Sequence, residues 1–207
     1  MRLPVAIIPG GTSGLGAEIA KLLRARDVAV VTVSRRKTAH VAGDASRADT
    51  VRRAIEAAEK LGQITLLVNS AGVGGFGPAG TYDEETVRRI LDANLTSMIL
   101  FCDALFPRFA KHGGTIVNIL STAALVAKKD ESVYCAAKWG ARGYTGVLKA
   151  EAKGTKARIL AVAPGGMQTP FWDSPREGFM DPAEIAKIVV DALDRPVNLT
   201  SLVIERT

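Results

Sequence analysis

Cysteine, histidine and aromatic residues are scarce in this chain of 207 residues, at two, two and 5%. Cys102 and Cys135 sit in helical patterns without metal-ligand spacing, and His40 and His112 are isolated. No zinc set can be built from them, and no metal site is expected. Two reduced core thiols are the simplest reading of the cysteines, which points to the cytoplasm. No apolar run approaches the ~20 residues of a membrane span. Pro9-Gly10-Gly11 interrupts the only N-terminal apolar run too early for a signal peptide. The chain is therefore expected to act away from a membrane.

A 47% hydrophobic content and a mean hydropathy of +0.15 exclude a disordered chain. At 21.9 kDa, residues 1–207 fit one domain with a full core. The net charge is +6, which can mean nucleic acid. Here, however, Lys and Arg are spread along the chain. The one tight cluster, Arg35-Arg36-Lys37, has few aromatics near it, so no base-stacking platform is suggested and no nucleic-acid partner is expected.

The chain is organised around residues 3–26. An apolar run (Leu3 to Ile8) breaks into Pro9-Gly10-Gly11-Thr12-Ser13-Gly14-Leu15-Gly16. Leu15, Ile19, Leu22 and Leu23 then recur at helical spacing. This is strand, glycine-rich turn and helix start. The free N–H groups and dipole of such a helix favour an anion. Gly10, Gly14 and Gly16 let the backbone approach a pyrophosphate without a Cβ in the way. Gly10, Thr12, Ser13, Gly14, Leu15 and Gly16 are thus candidate cofactor residues. A glycine turn that only packs helix on strand is the competing reading.

Strands and helices alternate from there on. Strands are expected at 29–34, 64–68, 115–120, 158–163 and 199–204, and helices at 50–61, 83–111, 132–152 and 182–193. Pro107 is expected to kink the long helix or to start a new segment, and Asp181 to cap the last one. Such alternation means an α/β fold with a parallel sheet covered on both faces. Only five residues, Arg35 to Ala39, separate Ser34 from a short strand near His40 to Asp44. A crossover helix needs about 10–12, so one face should be thinly covered there.

Arg35 and Arg36 follow the second strand directly. In a dinucleotide fold an acid at that point binds the ribose of NAD, whereas arginine accommodates the 2′-phosphate of NADP(H). A solvated charge run is the alternative. Asp44-Ala45 ends the third strand, where a carboxylate could accept from an adenine amino group or cap the next helix. Asn69, Ala71 and Gly72 end the fourth strand and open a glycine-rich loop. Asn94 is a polar amide on an apolar helical face and needs partners. Ser121 terminates the fifth strand. Tyr134 and Lys138 lie four apart on the following helix and share a face. A phenol with pKa near ~10 is a poor base at neutral pH, and an adjacent ammonium favours the phenolate.

With these residues the chain resembles the short-chain dehydrogenase/reductase family, from Val5 to Glu205. The resemblance rests on Gly10/Gly14/Gly16, Asn69-x-Ala71-Gly72, Asn94, Ser121, Tyr134-x-x-x-Lys138 and Pro164-Gly165-x-x-x-Thr169. It implies a doubly wound Rossmann-type sheet of seven strands in the order 3-2-1-4-5-6-7, and an oxidoreductase that moves hydride between NADP(H) and a carbonyl or alcohol substrate. It implies Tyr134 as acid/base, Lys138 on the nicotinamide ribose, Ser121 orienting substrate and Asn94 holding a relay water. Pro164, Gly165 and Thr169 would cover the nicotinamide end. A non-catalytic NADP(H)-binding sensor or scaffold is the rival reading.

Three departures stand out. Pro9 replaces the usual threonine, the helix between strands two and three is missing, and only Pro170 to Met180 form the substrate segment. Leu125, Val126 and Phe171 to Phe179 are expected to line the pocket, with the short lid leaving it open to solvent. The apolar helix from Asp83 and the small residues of the next, Ala136, Ala137, Gly140 and Gly143, predict a homodimer or homotetramer.

Overall fold

The computed structural model describes residues 3–172, 174 and 176–206. Asp173 and Pro175, within the expected lid, lie outside the described residues. Seven parallel strands form one sheet: β1 (Pro4–Pro9), β2 (Ala29–Ser34), β3 (Val41–Ala42), β4 (Gln63–Asn69), β5 (Gly114–Ile119), β6 (Ala157–Pro164) and β7 (Ser201–Ile204). Their spatial order is 3-2-1-4-5-6-7. The order reverses between β1 and β4, which opens a crevice at the carboxyl ends of the strands.

Both faces of the sheet are covered, so the central strands are apolar without alternation. Along β1, Val5 and Ile7 point to one core and Ala6 and Ile8 to the other, all fully buried. Helices α1 (Gly14–Arg24) and α6 (Pro182–Leu193) cover one face through Ile19, Leu23, Ile185 and Val189. The other face is covered by α2 (Ala48–Leu61), α4 (Ser97–His112) and α5 (Ser132–Glu151), through Val51, Phe101, Leu105, Phe109 and Leu148. Asp181 caps α6 by accepting from the Ala183 N–H at 2.8 Å.

Two expectations about helices are corrected. The long helix does not restart at Pro107. Instead α3 (Glu84–Leu91) passes through a π turn at Asp92–Thr96 into α4, which continues past Pro107 to His112. Tertiary burial of Phe101, Leu105 and Phe109 anchors the helix on both sides of the proline. By length and composition the run Glu84–His112 is apolar enough to cross a membrane; here those three side chains pack on the sheet. The second correction concerns Asp44. Its carboxylate accepts from the N–H and hydroxyl of Ser46 at 2.9 and 2.8 Å and closes a local turn. Arg47, not Asp44, is the residue at the start of α2.

No helix joins β2 to β3, and β3 is two residues long. The loop folds back instead. The backbone N–H of His40 donates to the Thr32 hydroxyl at 3.3 Å, and its Nδ1 lies 3.0 Å from the same oxygen. Thr32 is thereby only 3% exposed although the covering helix is missing. Pro9 is equally well accommodated. Pairing of β1 with β2 extends to Pro9↔Val33, whereas pairing with β4 ends at Ile7↔Leu67. The Pro9 carbonyl still accepts from Ser70 N–H, and Gly10 N–H donates to Val33.

Candidate active site

The glycine turn is built by steric necessity. Gly10 has φ +81°, and a Cβ there would stand 2.5 Å from the Ala71 nitrogen. Gly14 has φ +52°, and a Cβ there would stand 3.2 Å from the Thr169 side chain. The Thr12 hydroxyl donates to the Ser34 hydroxyl at 3.0 Å, tying the turn to the end of β2. No side chain caps α1 at Ser13, so its first-turn amides are available to an anion.

A cavity of about 1210 Å³ runs from this turn along the crevice. It is lined by Gly10, Thr12, Ser13, Gly14 and Leu15, by Arg35, Arg36, Asp44 and Ala45, and by Ala71 and Gly72. At its other end it meets Asn94, Ser121, Tyr134 and Lys138, then Pro164, Gly165 and Thr169. Two expected residues lie outside this lining. Gly16 packs α1 onto β1, its Cβ position being 2.4 Å from the Gly10 carbonyl. Asn69 turns its amide into the core, donating to Asn118 Oδ1 at 2.8 Å and Cys102 Sγ at 3.2 Å. Asn118 in turn donates to Thr145 at 2.9 Å. The carboxyl end of β4 thus reaches the cavity through Ser70, Ala71 and Gly72 rather than through the Asn69 side chain.

The π turn places Asn94. Its Nδ2 donates to the carbonyls of Ile90 (2.9 Å) and Val73 (2.8 Å), while its buried Oδ1 has no partner. A Cβ on Gly72 would stand 2.8 Å from that oxygen. Ser121 ends β5; its hydroxyl accepts from Ala123 N–H at 3.1 Å. Tyr134 is 8% exposed, and burial holds its phenol well above the usual range, with a hydrogen bond from Ser121 acting in the lowering direction. Lys138 is 4% exposed. Its Nζ donates to the Ile119 carbonyl at 3.2 Å and lies 5.8 Å from the centre of the Tyr134 ring. Burial lowers its pKa to about 8.

Residues 4–178 match the short chain dehydrogenase family. The chain belongs to the short-chain dehydrogenase/reductase family. It is 30% identical to carbonyl reductase family member 4 of Danio rerio, over 93% of this chain and 92% of that one. It is 36% identical to the sepiapterin reductase of Chlorobaculum tepidum over 72% of its own length, which spans only 63% of that protein. The structure of 3-ketoacyl-(acyl-carrier-protein) reductase from Brucella melitensis, complexed with NADH, superposes with a TM-score of 0.87. That match is at 28% identity and covers 98% of this chain and 96% of that one. Membership makes this short-chain dehydrogenase/reductase an oxidoreductase with a nicotinamide cofactor. The cradle fits such a group. Glycines stand where a Cβ would close it, a helix start lies free, and the buried Asn94 acceptor is unfilled.

The substrate end differs from expectation. Leu125 packs on the core and Val126 is 57% exposed; neither lines the cavity. Lys128, Glu131, Arg176 and Arg206 do, with Arg88 and Arg89 of α3. Rings gather on the phenol from both flanking loops. Phe171 packs on the Tyr134 ring at 5.6 Å, and Phe76 of the glycine loop packs edge-on to it at 5.9 Å. The base of the lid is pinned by the Met167–Met180 bridge and by Gln168, whose side chain clasps the backbone of Arg176. The one available sequence signal was a large aromatic, Phe76, set among Gly74, Gly75 and Gly77.

Lys138 has an ordinary pKa of 10.5 in the unfolded chain and about 8 in the folded one. Below about pH 8 both states carry the ammonium, and its burial penalises the fold in full. Between 8 and 10.5 the folded chain is neutral, and the penalty shrinks to zero. The shift amounts to about 3 kcal/mol, from which the lost Ile119 hydrogen bond subtracts about 1 kcal/mol. Lys138→Met is therefore expected to stabilise the protein by about 2 kcal/mol at pH 7 in urea denaturation, with the gain fading toward pH 10.5. A destabilised variant at pH 7 would contradict the buried ammonium.

Proposed function

We propose that the protein is an NADP(H)-dependent carbonyl reductase or alcohol dehydrogenase in which Tyr134 moves the proton. The observation that carries this is the convergence of Ser121, Tyr134 and Lys138 at one end of a glycine-lined cavity. When bound, NADPH supplies the hydride that reduces a carbonyl carbon. Ser121 holds the substrate oxygen beside the phenol. A buried, neutral Tyr134 is the form that donates a proton, so the resting site suits reduction. The Lys138 ammonium then stabilises the phenolate left behind and holds the ribose. Asn94, with its orphaned acceptor, holds the water that returns the proton.

Arg35 and Arg36 hold the 2′-phosphate in this reading. Both are exposed at the end of β2 and line the cavity, and no acid occupies that point. Asp44 has one carboxylate oxygen, Oδ1, engaged by Ser46, which leaves the other for the adenine side. The assembled proton-transfer set favours a catalyst over a sensor. The free thiols of Cys102 and Cys135 accord with action in the cytoplasm. We also propose a homodimer or homotetramer built on α4 and α5. Trp139 and Val147 of α5 are 50% and 56% exposed, and space is open above Gly143 and Gly146. α4 also borders a groove of about 480 Å³ against α2, lined by Val51, Ile55, Leu100 and Ala104.

Three measurements test these readings. Tyr134→Phe should lower the reduction rate of ketones or aldehydes with NADPH by ~10²–10⁴ while leaving cofactor affinity intact; retention of most activity would remove Tyr134 from its role. NADPH should bind at least tenfold more tightly than NADH, and Arg35→Ala with Arg36→Ala should erase the difference, as loss of a charge-assisted pair costs about 1.5–3 kcal/mol. Equal affinities for the wild type would refute the arginine assignment. Light scattering at micromolar concentration should give a dimer or tetramer, and Val147→Glu should shift it toward monomer.

A further inference from the structure

The wall around Tyr134 is aromatic, and the rim beyond it is cationic. Phe76 lies flat on Trp172, with ring centres 5.0 Å apart and 13° between planes, and edge-on to Phe171 at 5.8 Å. Phe171 meets Trp172 at 5.1 Å, and Trp172 meets Phe179 at 5.3 Å. The two loops that flank the site, after β4 and after β6, are thus joined by rings across the Tyr134 phenol. A polyol placed there would bury hydroxyls against carbon without partners, which is costly. A hydrocarbon or aryl group next to the reacting carbonyl would not.

Cations stand on the outer side of this wall. The Arg176 guanidinium lies 4.2 Å over the Trp172 ring and 5.9 Å from the Phe179 ring, and the Arg206 guanidinium lies 5.0 Å from Phe179 on its own account. Lys128 is oriented by donating to Thr122 at 3.2 Å, one residue beyond Ser121. All three line the same cavity as Ser121 and Tyr134. Among the described residues, Glu131 is the one acid that lines it on this side. Its carboxyl is held above the usual range by burial, against the lowering pull of Lys128 and Arg176. Glu84 and Glu85 of α3 and Asp92 of the π turn also line the cavity; Glu84 is paired to Arg88 at 2.7 Å, and Asp92 accepts from the Thr96 hydroxyl at 3.1 Å. Among the described residues, no ion pair within 4 Å engages Arg176, Arg206 or Lys128. Arginine stacked on an aromatic ring keeps its fork free for a carboxylate or phosphate.

We infer that the substrate is an apolar carbonyl compound that carries an anionic group. Its carbonyl sits between Ser121 and Tyr134, its hydrocarbon against Phe171 and Trp172, which Phe76 backs from behind, and its anion on Arg176, with Arg206 and Lys128 flanking. This rests on the reductase reading above. Reduction adds one hydride from NADPH to the carbonyl carbon and one proton from Tyr134 to the oxygen, giving a secondary alcohol and NADP. The anion itself takes no part in the chemistry. It fixes which end of the molecule enters first, and therefore acts on binding.

The test uses a matched pair, 4-acetylbenzoate and its methyl ester, with NADPH. The wild type should reduce the acid with a kcat/KM at least tenfold above that of the ester. Arg176→Gln should raise KM for the acid at least tenfold more than for the ester, with the smaller change in kcat, and Arg176→Lys should restore part of it. Binding of 4-acetylbenzoate, followed by quenching of tryptophan fluorescence, should weaken in parallel. Equal use of acid and ester by the wild type, or equal losses on both in Arg176→Gln, would overturn the anion site and leave the reductase reading standing. Binding of the acid that depends on Arg176, with reduction of neither compound, would uphold the anion site and overturn the reductase reading instead.

Discussion

One backbone approach sets the rest: Gly10 lies against Ser70 and Ala71, too near for any side chain. It joins the carboxyl ends of β1 and β4 at the place where the strand order reverses. With a Cβ at residue 10 the two ends would be pushed apart, and α1 would start in a different place. Because they meet, the first turn of α1, the end of β2 and the loop after β4 all face one crevice. Gly72 repeats the device a few residues later, since its own missing Cβ leaves room for the Asn94 amide. The cavity is therefore shaped by two close approaches at glycines, and its chemistry is added by the side chains that these bring within reach.

Those side chains are costly to hold. An ammonium on Lys138, a phenol on Tyr134 and the unpartnered oxygen of Asn94 are all buried, and each would be cheaper in water. The two cores on either side of the sheet offset that cost. Ile7, Ile8, Leu67, Ile116 and Ile159 are 0–2% exposed. The π turn at Asp92–Thr96 belongs to the same account. It sacrifices helical regularity so that Asn94 can bind Ile90 and Val73 while its oxygen faces the site. Irregularity of this type inside a helix commonly marks a working position. Farther from the chemistry, the polar chain Asn69–Asn118–Thr145 satisfies most of its own groups and fastens β4 and β5 to α5.

Shortness has been handled by substitution of contacts. Where a helix between β2 and β3 is missing, His40 folds back to cover Thr32. Where the segment after β6 is trimmed to a few residues, aromatic rings replace length. Phe171 and Trp172 reach the site from one side and Phe76 meets them from the other, so the loops are closed by ring contacts and by the Gln168 clasp rather than by a long flap. A short chain thereby keeps an aromatic wall beside the phenol.

The sequence by itself determined the elements, because these depend on local signals: apolar runs, glycine spacing and the switch of period from strand to helix; the order of the sheet followed only from the family resemblance of the motifs. It also determined most of the site, since Ser121, Tyr134, Lys138, Arg35 and the glycine turn are fixed by their positions at strand ends or on one helical face. The break at Asp92–Thr96 instead of Pro107 was not legible, because packing of Phe101, Leu105 and Phe109 outweighs the local preference of proline. The direction of the Asn69 amide was hidden too, as its partners Cys102 and Asn118 are 33 and 49 residues away. The aromatic lining from Phe171 to Phe179 was legible as a candidate, but its cationic neighbours were decided by tertiary structure alone. Lys128, Arg176 and Arg206 come from three segments that no periodicity links, and only the folding of those segments brings them to the cavity that Tyr134 lines.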